Sequence, residues 1–216
     1  PLSDAWLSLA SAPGNIFGMS AHAVKGKIYS VDPVYQYNIN TDDWWDTAFP
    51  HLDTVWNDTA WVIDSIIPDT DYSNIKSYLP QQYRYHCSAV YNNLLYVMGG
   101  MDGYGFSPFV DVYHPGTNLW TSAHEMISPA NYSAAVTANG FIYVLGGYDG
   151  TYSKRVRKYD PLTDFWYIRS DMQTGRSYLG AVFTGGYIYA IGGISTLLTS
   201  SMEEYRLDLD PKNTGR

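Results

Sequence analysis

The sequence predicts an all-β chain assembled from repeated four-stranded antiparallel units, and three observations carry that prediction. The first is composition: 21 tyrosines, 19 glycines and 16% aromatic residues accompany short alternating apolar and polar runs, a profile of strands and tight turns. No segment longer than about ten residues sustains an i, i+3, i+4 apolar pattern, so long helices are not expected. The second is a strand ending on a glycine pair, written three times: YVMGG (96–100), YVLGG (143–147) and YAIGG (189–193). The third is a set of landmarks returning at steps of 46 residues. Ala89-Val90 returns as Ala135-Val136 and Ala181-Val182, Tyr113 as Tyr159 and Tyr205, and Trp120 as Trp166. A fixed period of this size marks a repeat architecture.

The clearest unit parses into four elements. NYSAAVTA (131–138) is the first strand and FIYVLGG (141–147) the second; Asn139-Gly140 between them is the strongest short hairpin signal. The loop YDGTYSK (148–154) leads to RVRKYDP (155–161), the third strand, and FWYIRSDM (165–172) is the fourth. Thr184-Gly185-Gly186 and Tyr91-Asn92-Asn93 take the place of that hairpin turn in the neighbouring units. The glycine pairs step by 47 and then 46 residues, which the alignment assigns to a turn at 91–93 one residue shorter than 137–140. Asp160-Pro161 and His114-Pro115-Gly116 stop the third strands. Four antiparallel strands per period with an aromatic-rich face describe a propeller blade.

The glycine pairs 99–100, 146–147 and 192–193, the third-strand tyrosines 113, 159 and 205 and the fourth-strand tryptophans 120 and 166 together resemble kelch repeats. The expected fold is therefore a kelch-type β-propeller with five recognisable blades, two of them incomplete. It extends to weaker sequence. VYQYNINTDDW (34–44) overlays 156–166, placing Tyr37 on Tyr159 and Trp44 on Trp166, and AHAVKGKIYSV (21–31) supplies two strands before it. Residues 55–80 overlay 136–161, with Ser65-Ile66 replacing the glycine pair and no fourth strand following. The blades span approximately 13–50, 51–81, 82–126, 127–172 and 173–216, the last completed by residues 1–12, because PLSDAW (1–6) overlays PLTDFW (161–166). The shortened units suit a six-bladed parent from which segments are absent.

Composition limits the partners. A net charge of −8 with 13 scattered basic residues argues against nucleic acid. The one tight basic group, Lys154, Arg155, Arg157 and Lys158, reads as a solvated strand edge. No apolar run reaches the ~18 residues of a membrane span, and PLSDAWLSLA is neither a signal peptide nor a start with an initiator Met. A single cysteine, Cys87, excludes an internal disulfide and favours a cytoplasmic chain, whereas the sequons at Asn57 and Asn131 favour an extracellular one.

The glycines, tyrosines and tryptophans of the repeat read as structure: close backbone approach at the crowded inner ends, and buried area between blades. Function is expected on loops of a rigid scaffold. In kelch proteins, the resemblance implies, ligands meet the face built from second-to-third-strand loops and the entries to first strands. Here those are 101–108, 148–154 and 194–201, with 84–86, 130–132 and 176–178. They offer Tyr85, Tyr104, Phe106, Tyr132, Tyr148, Asp149, Tyr152 and Tyr178 beside Arg84 and Arg176. Tyr and Arg are residue types that dominate interface hot spots, although the same side chains would also line a wet channel mouth. Arg84 and Arg176 align as equivalents, where relatives that bind acidic peptides also place arginines. Ala130 and Gly18 hold that position elsewhere, so no complete basic ring forms.

A catalytic reading needs separate weighing, since propellers of this repeat type also occur in copper radical oxidases resembling galactose oxidase. Those require a Tyr–Cys crosslink and two histidines. Cys87 lies near Tyr85 and His86, but His22, His51, His114 and His124 show no ligand spacing. Cys87 aligns with Ser133 and Leu179, as a small core residue. Expected, then, is a non-enzymatic protein-binding domain without cofactor or metal, which neither takes nucleic acid nor inserts into membrane. The resemblance implies substrate recruitment alongside a separate BTB domain, or actin binding or scaffolding; a structural part in a cytoskeletal or extracellular assembly is the alternative.

Overall fold

Alternating sequence becomes antiparallel strand throughout the computed structural model, which describes residues 84–101, 104–207 and 79–80 together with six strands nearer the N-terminus. Among the described residues there are seventeen strands and no helix. The first sheet holds β1 (Ser20–Val24), β2 (Lys27–Val31), β3 (Gln36–Asn38) and β4 (Asp43–Trp45) in sequential order. A two-stranded sheet follows, β5 (Leu52–Trp56) with β6 (Trp61–Ile66). Then come β7 (Cys87–Tyr91), β8 (Leu94–Met98), β9 (Val110–His114) and β10 (Leu119–Ser122), and β11 (Ala134–Ala138), β12 (Phe141–Leu145), β13 (Val156–Asp160) and β14 (Phe165–Ile168), each a four-stranded meander. The last sheet is β15 (Gly180–Thr184), β16 (Tyr187–Ile191) and β17 (Met202–Arg206).

This is the blade architecture expected from the repeat. Tyr37 opposes Trp44 as Tyr159 opposes Trp166, so the weaker unit is built like the clear one. A fourth strand from residues 1–12 and a third strand for the unit at 51–81 lie outside the described residues. The inner strand β1 lies beside β7, where His22 Nε2 and Ser88 Oγ share a hydrogen bond of 2.8 Å.

The register corrects the alignment of first strands. Tyr96, Tyr143 and Tyr189 oppose Ala89, Val136 and Val182, so Ala89-Val90 corresponds to Val136-Thr137 and Val182-Phe183, one residue beyond the sequence match. The hairpins that precede the three glycine pairs are of one length. Asn92-Asn93, Asn139-Gly140 and Gly185-Gly186 each form a two-residue turn with φ between 47° and 85° at all six positions, as a type I′ turn requires. Asn tolerates that region by bonding locally, so Asn-Asn substitutes for Asn-Gly without lengthening the loop. The extra residue sits instead between glycine pair and third strand, in 101–109 as against 148–155. Cys87 therefore matches Ala134 and Gly180, not Ser133 and Leu179.

The core lies between sheets. Cys87, Ala89, Tyr96, Met98, Val110 and Val112 pack against Ile142, Val144, Tyr159 and Trp166 of the next blade. Tyr143, Leu145 and Val156 pack in turn against Leu179, Ile188 and Ala190. The repeat tryptophan also fastens blades: Trp166 Nε1 donates to the His124 carbonyl at 3.0 Å. Asp164 Oδ1 receives the Tyr159 hydroxyl at 2.6 Å and the His124 amide at 2.8 Å. Indole, phenol and carboxylate thus each find a partner at the blade boundary, as buried polar edges must.

The basic group does not form a solvated edge. β13 is paired on both sides, with β12 and β14, and only Lys154 and Arg155 are exposed. Arg157 is fully buried and Lys158 is 8% exposed, its Nζ lying 3.4 Å from the centre of the Phe141 ring. An aromatic face offers an ammonium group an electrostatic partner that sequence spacing does not reveal.

Candidate functional site

The loops after the glycine pairs and the entries to the first strands meet at one end of the blades. Isolated antiparallel bridges join Arg84 to Met101, Asn131 to Tyr148 and Ser177 to Ile194. One residue past each bridge the chain turns into the left-handed region, and each time the residue is a tyrosine: Tyr85 (φ 61°), Tyr132 (54°) and Tyr178 (54°). Each turn also links successive blades, because the Tyr132 amide donates to the Tyr85 carbonyl and the Tyr178 amide to the Tyr132 carbonyl, both at 2.9 Å. The three rings form a ladder, with centroids 4.3 Å apart for Tyr85–Tyr132 and 4.0 Å for the stacked pair Tyr132–Tyr178. Burial, and hydrogen bonds with the neighbouring phenols, push the Tyr132 hydroxyl well above the usual tyrosine range.

A second aromatic row flanks the ladder. Each loop closes on itself through a bridge, Met101 to Phe106, Tyr148 to Tyr152 and Ile194 to Leu198. Phe106 and Tyr148 meet edge-on across the blade boundary at 6.5 Å, and Tyr148 and Tyr152 within a loop at 5.6 Å. Phe106, Tyr148 and Tyr152 keep more than a third of their surface exposed, Tyr178 more than half, and Tyr104 stands fully out in solvent with Leu197 and Leu198. These exposed side chains gather at the end of the blades that carries the tyrosine ladder.

The charged candidates separate. Arg84 is exposed at the rim and joined to Met101 through backbone bonds. Asp149 is spent within its own loop: it pairs with Arg155 at 2.9 Å and accepts from the Thr151 amide and hydroxyl. Arg176 is 0% exposed, so it offers no surface to a partner. Its Nη1 donates to the Gly192 and Ser201 carbonyls at 3.1 and 2.9 Å, and its Nη2 to Ser201 Oγ at 3.0 Å and Glu203 Oε1 at 2.6 Å. Nor are the two arginines equivalent. The bridges place Arg84 at the position of Asn131 and Ser177 in the other blades, and Arg176 at that of Ala130. Arg84 is thus a rim side chain and Arg176 a core one, one residue out of register with each other.

The same register shows an exchange between blades that sequence reading missed. The third-strand position of Glu203 is Arg157 one blade earlier, where Ala130 stands for Arg176. Arg157 Nη1 reaches the Gly146 carbonyl at 3.1 Å, the equivalent of Gly192, so the guanidinium comes from the opposite strand. The carboxylate does not follow: Arg157 Nε and Nη2 are buried without a hydrogen-bond partner. Such donors cost free energy. We expect Ala130→Arg with Arg157→Glu to stabilise the protein by about 1 kcal/mol or more, while each single change destabilises it. Chemical denaturation of the two single variants and the double one checks this coupling.

Asn131, a sequence candidate for glycan attachment, is 4% exposed, with Nδ2 3.4 Å from Met101 Sδ, so the folded chain does not present it. The Cys87 thiol is buried and directed at the Met98 carbonyl, and burial raises its pKa to about 12. His86 is also buried, and burial lowers its pKa to about 4. Among the described residues no three His, Cys, Asp or Glu side chains converge as metal ligands.

A family model for the Kelch motif matches residues 82–127 and 129–173. The chain is 28% identical to Kelch-like protein 35 of Mus musculus over 149 residues, 69% of this chain and 22% of that protein. It is 26% identical to Kelch-like protein 23 of Mus musculus over 174 residues, covering 73% of this chain and 25% of the relative. Similarity to Alpha-scruin of Limulus polyphemus is 39% identity over 64 residues, 29% of this chain and 7% of that protein. The chain thus spans about a quarter or less of these relatives' length.

Proposed function

We propose that this chain, a kelch-repeat β-propeller, recognises a protein partner through the aromatic end of its blades, as a substrate-recognition or scaffold domain without catalysis. The observation that carries the reading is the tyrosine ladder. A left-handed conformation costs a non-glycine residue about 1–2 kcal/mol. Here it recurs at Tyr85, Tyr132 and Tyr178, and at each the ring is turned into one shared stack. Strain repeated at one surface is the mark of a site whose geometry is held for use. Large, rigid rings with a hydroxyl at the tip supply contact area and a directional polar group at low entropic cost. With Arg176 buried and Asp149 paired, aromatic contact rather than a ring of positive charge sets the affinity. A cytoplasmic setting suits the single buried thiol, Cys87.

Affinity capture with Tyr178→Asn combined with Tyr152→Ala tests the reading; asparagine at 178 tolerates the left-handed backbone. Partners bound by the wild type should be lost about tenfold or more, since central aromatic anchors cost more than 1 kcal/mol when truncated. Leu119→Ala, on the exposed side of β10, should leave capture unchanged. Equal recovery of the same partners by the aromatic variant would overturn the assignment of this face.

A further inference from the structure

The opposite end of the β11–β14 blade, where Asn139-Gly140 and the 161–164 turn close the strands, carries a pocket of different character. Its volume is about 470 Å³, within the range of small-ligand sites. Tyr91, Phe141 and Tyr167 wall it, Lys158 and Arg169 supply two positive charges, and Asp160 one negative. Asp160 Oδ1 already accepts the Leu162 amide at 3.0 Å, capping its own turn. Lys158 and Arg169 are 8% and 6% exposed, so both cations are held in a dry wall rather than waving in solvent.

Strand register explains why they converge. Lys158 opposes Tyr143 on one side and Tyr167 on the other, so all three project from one face of the sheet. Arg169 lies two residues past Tyr167 and Phe141 two before Tyr143, which returns both to that face. The Lys158 ammonium lies 3.4 Å from the Phe141 ring centre and 6.0 Å from that of Tyr167, and the Arg169 guanidinium is 5.1 Å from the Tyr167 ring. The aromatic faces fix the cations in position. A chain of net charge −8 thus concentrates positive potential inside one aromatic pocket, where low-dielectric walls strengthen it.

We propose that this pocket binds an aromatic ring bearing an anionic group, in particular an aryl phosphate. The ring lies among Tyr91, Phe141 and Tyr167, and the anion faces Lys158 and Arg169. The source is either a phosphotyrosine side chain of a protein or a free aryl phosphate. Because the site is at the far end of the strands from the tyrosine ladder, it stands independently of the protein-binding face.

Titration of the protein with phenyl phosphate, followed by NMR or calorimetry, tests it. Phenyl phosphate should bind roughly tenfold more tightly than inorganic phosphate, which lacks the ring, and roughly tenfold more tightly than phenol, which lacks the charge. Its affinity should fall with added salt. Lys158→Gln should abolish the preference for phenyl phosphate over phenol. Leu162→Glu, at an exposed position on the rim, should weaken phenyl phosphate several-fold by repulsion and needs no change in the buried wall. If Lys158→Gln fails to fold, Leu162→Glu alone decides. A phosphotyrosyl peptide binding more tightly than phenyl phosphate identifies a protein source, and weaker peptide binding a free small molecule. Phenol binding as tightly as phenyl phosphate, or phenyl phosphate affinity indifferent to Leu162→Glu, would overturn the proposal.

Discussion

Gly100→Ala should lower stability by about 3 kcal/mol, the combined cost of left-handed strain and overpacking. The backbone there has φ +92°, and a Cβ would stand 2.6 Å from the Arg84 carbonyl and 3.0 Å from the His86 amide. Both obstacles are main chain, fixed by the bridge that sets Arg84 against Met101, so neither swings aside. The close approach is also what lets Gly100 donate to the Ala130 carbonyl of the next blade at 3.2 Å. The second glycine is therefore required twice, for its conformation and for its missing side chain. A drop in melting temperature of about 10 °C is expected. Gly116→Ala is the control: its φ is not left-handed and no atom lies within 4 Å of the added carbon. That change should be neutral or stabilising by up to about 1 kcal/mol. Matching melts for the two variants would remove the close-approach explanation of the glycine pair.

Arg176→Met is expected to cost about 3–5 kcal/mol, the range for breaking a buried ion pair by removing one partner. The guanidinium ties the carbonyls of Gly192 and Ser201 to Glu203, and methionine fills the volume while satisfying none of them. The pair also predicts an acid limb. Burial by itself would raise the Glu203 carboxyl. The backbone amides of Gln173 and Thr174 and the Arg176 guanidinium outweigh it and hold the group below the usual carboxylate range. A depressed folded value means that this stabilisation is complete above the unfolded value near 4.5 and is lost as pH falls through the folded one. The melting temperature should thus decline on acidification below about pH 4.5, and Glu203→Gln should flatten part of that decline. An unchanged acid limb in Glu203→Gln would place the responsible carboxylates elsewhere.

The repeat itself was legible because its landmarks are hydrophobic and conformational necessities. The glycine pairs, Tyr159, Trp166 and the Asn139-Gly140 turn mean the same thing in each blade, and the strands fell where they pointed. What failed was single-residue register. Asn92-Asn93 performs a turn otherwise written with glycine, which shifts the apparent gap into the hairpin although the extra residue belongs to the following loop. That slip equated Arg84 with Arg176. Burial of charge was also hidden: Arg157 and Lys158 sit on an interior strand, and only the fold shows that Phe141 and the Gly146 carbonyl receive them. For the candidate face, the kelch resemblance implies which loops to choose, and the repeat locates them and their tyrosines in the sequence. The ladder was not legible, since a left-handed tyrosine leaves no compositional trace.

The amide-to-carbonyl chain through Tyr85, Tyr132 and Tyr178 also bears on how such a molecule grows. Each step consumes the donor of one unit and the acceptor of the preceding one, and contains nothing that counts the units. A gene segment of this period, copied or deleted in frame, carries with it a ready-made connection and one more, or one fewer, ring for the shared surface. Recombination can thereby widen or narrow the aromatic surface in unit steps without inventing new chemistry. Divergence is left to the second aromatic row, where the equivalent positions already read Phe106, Tyr152 and Leu198.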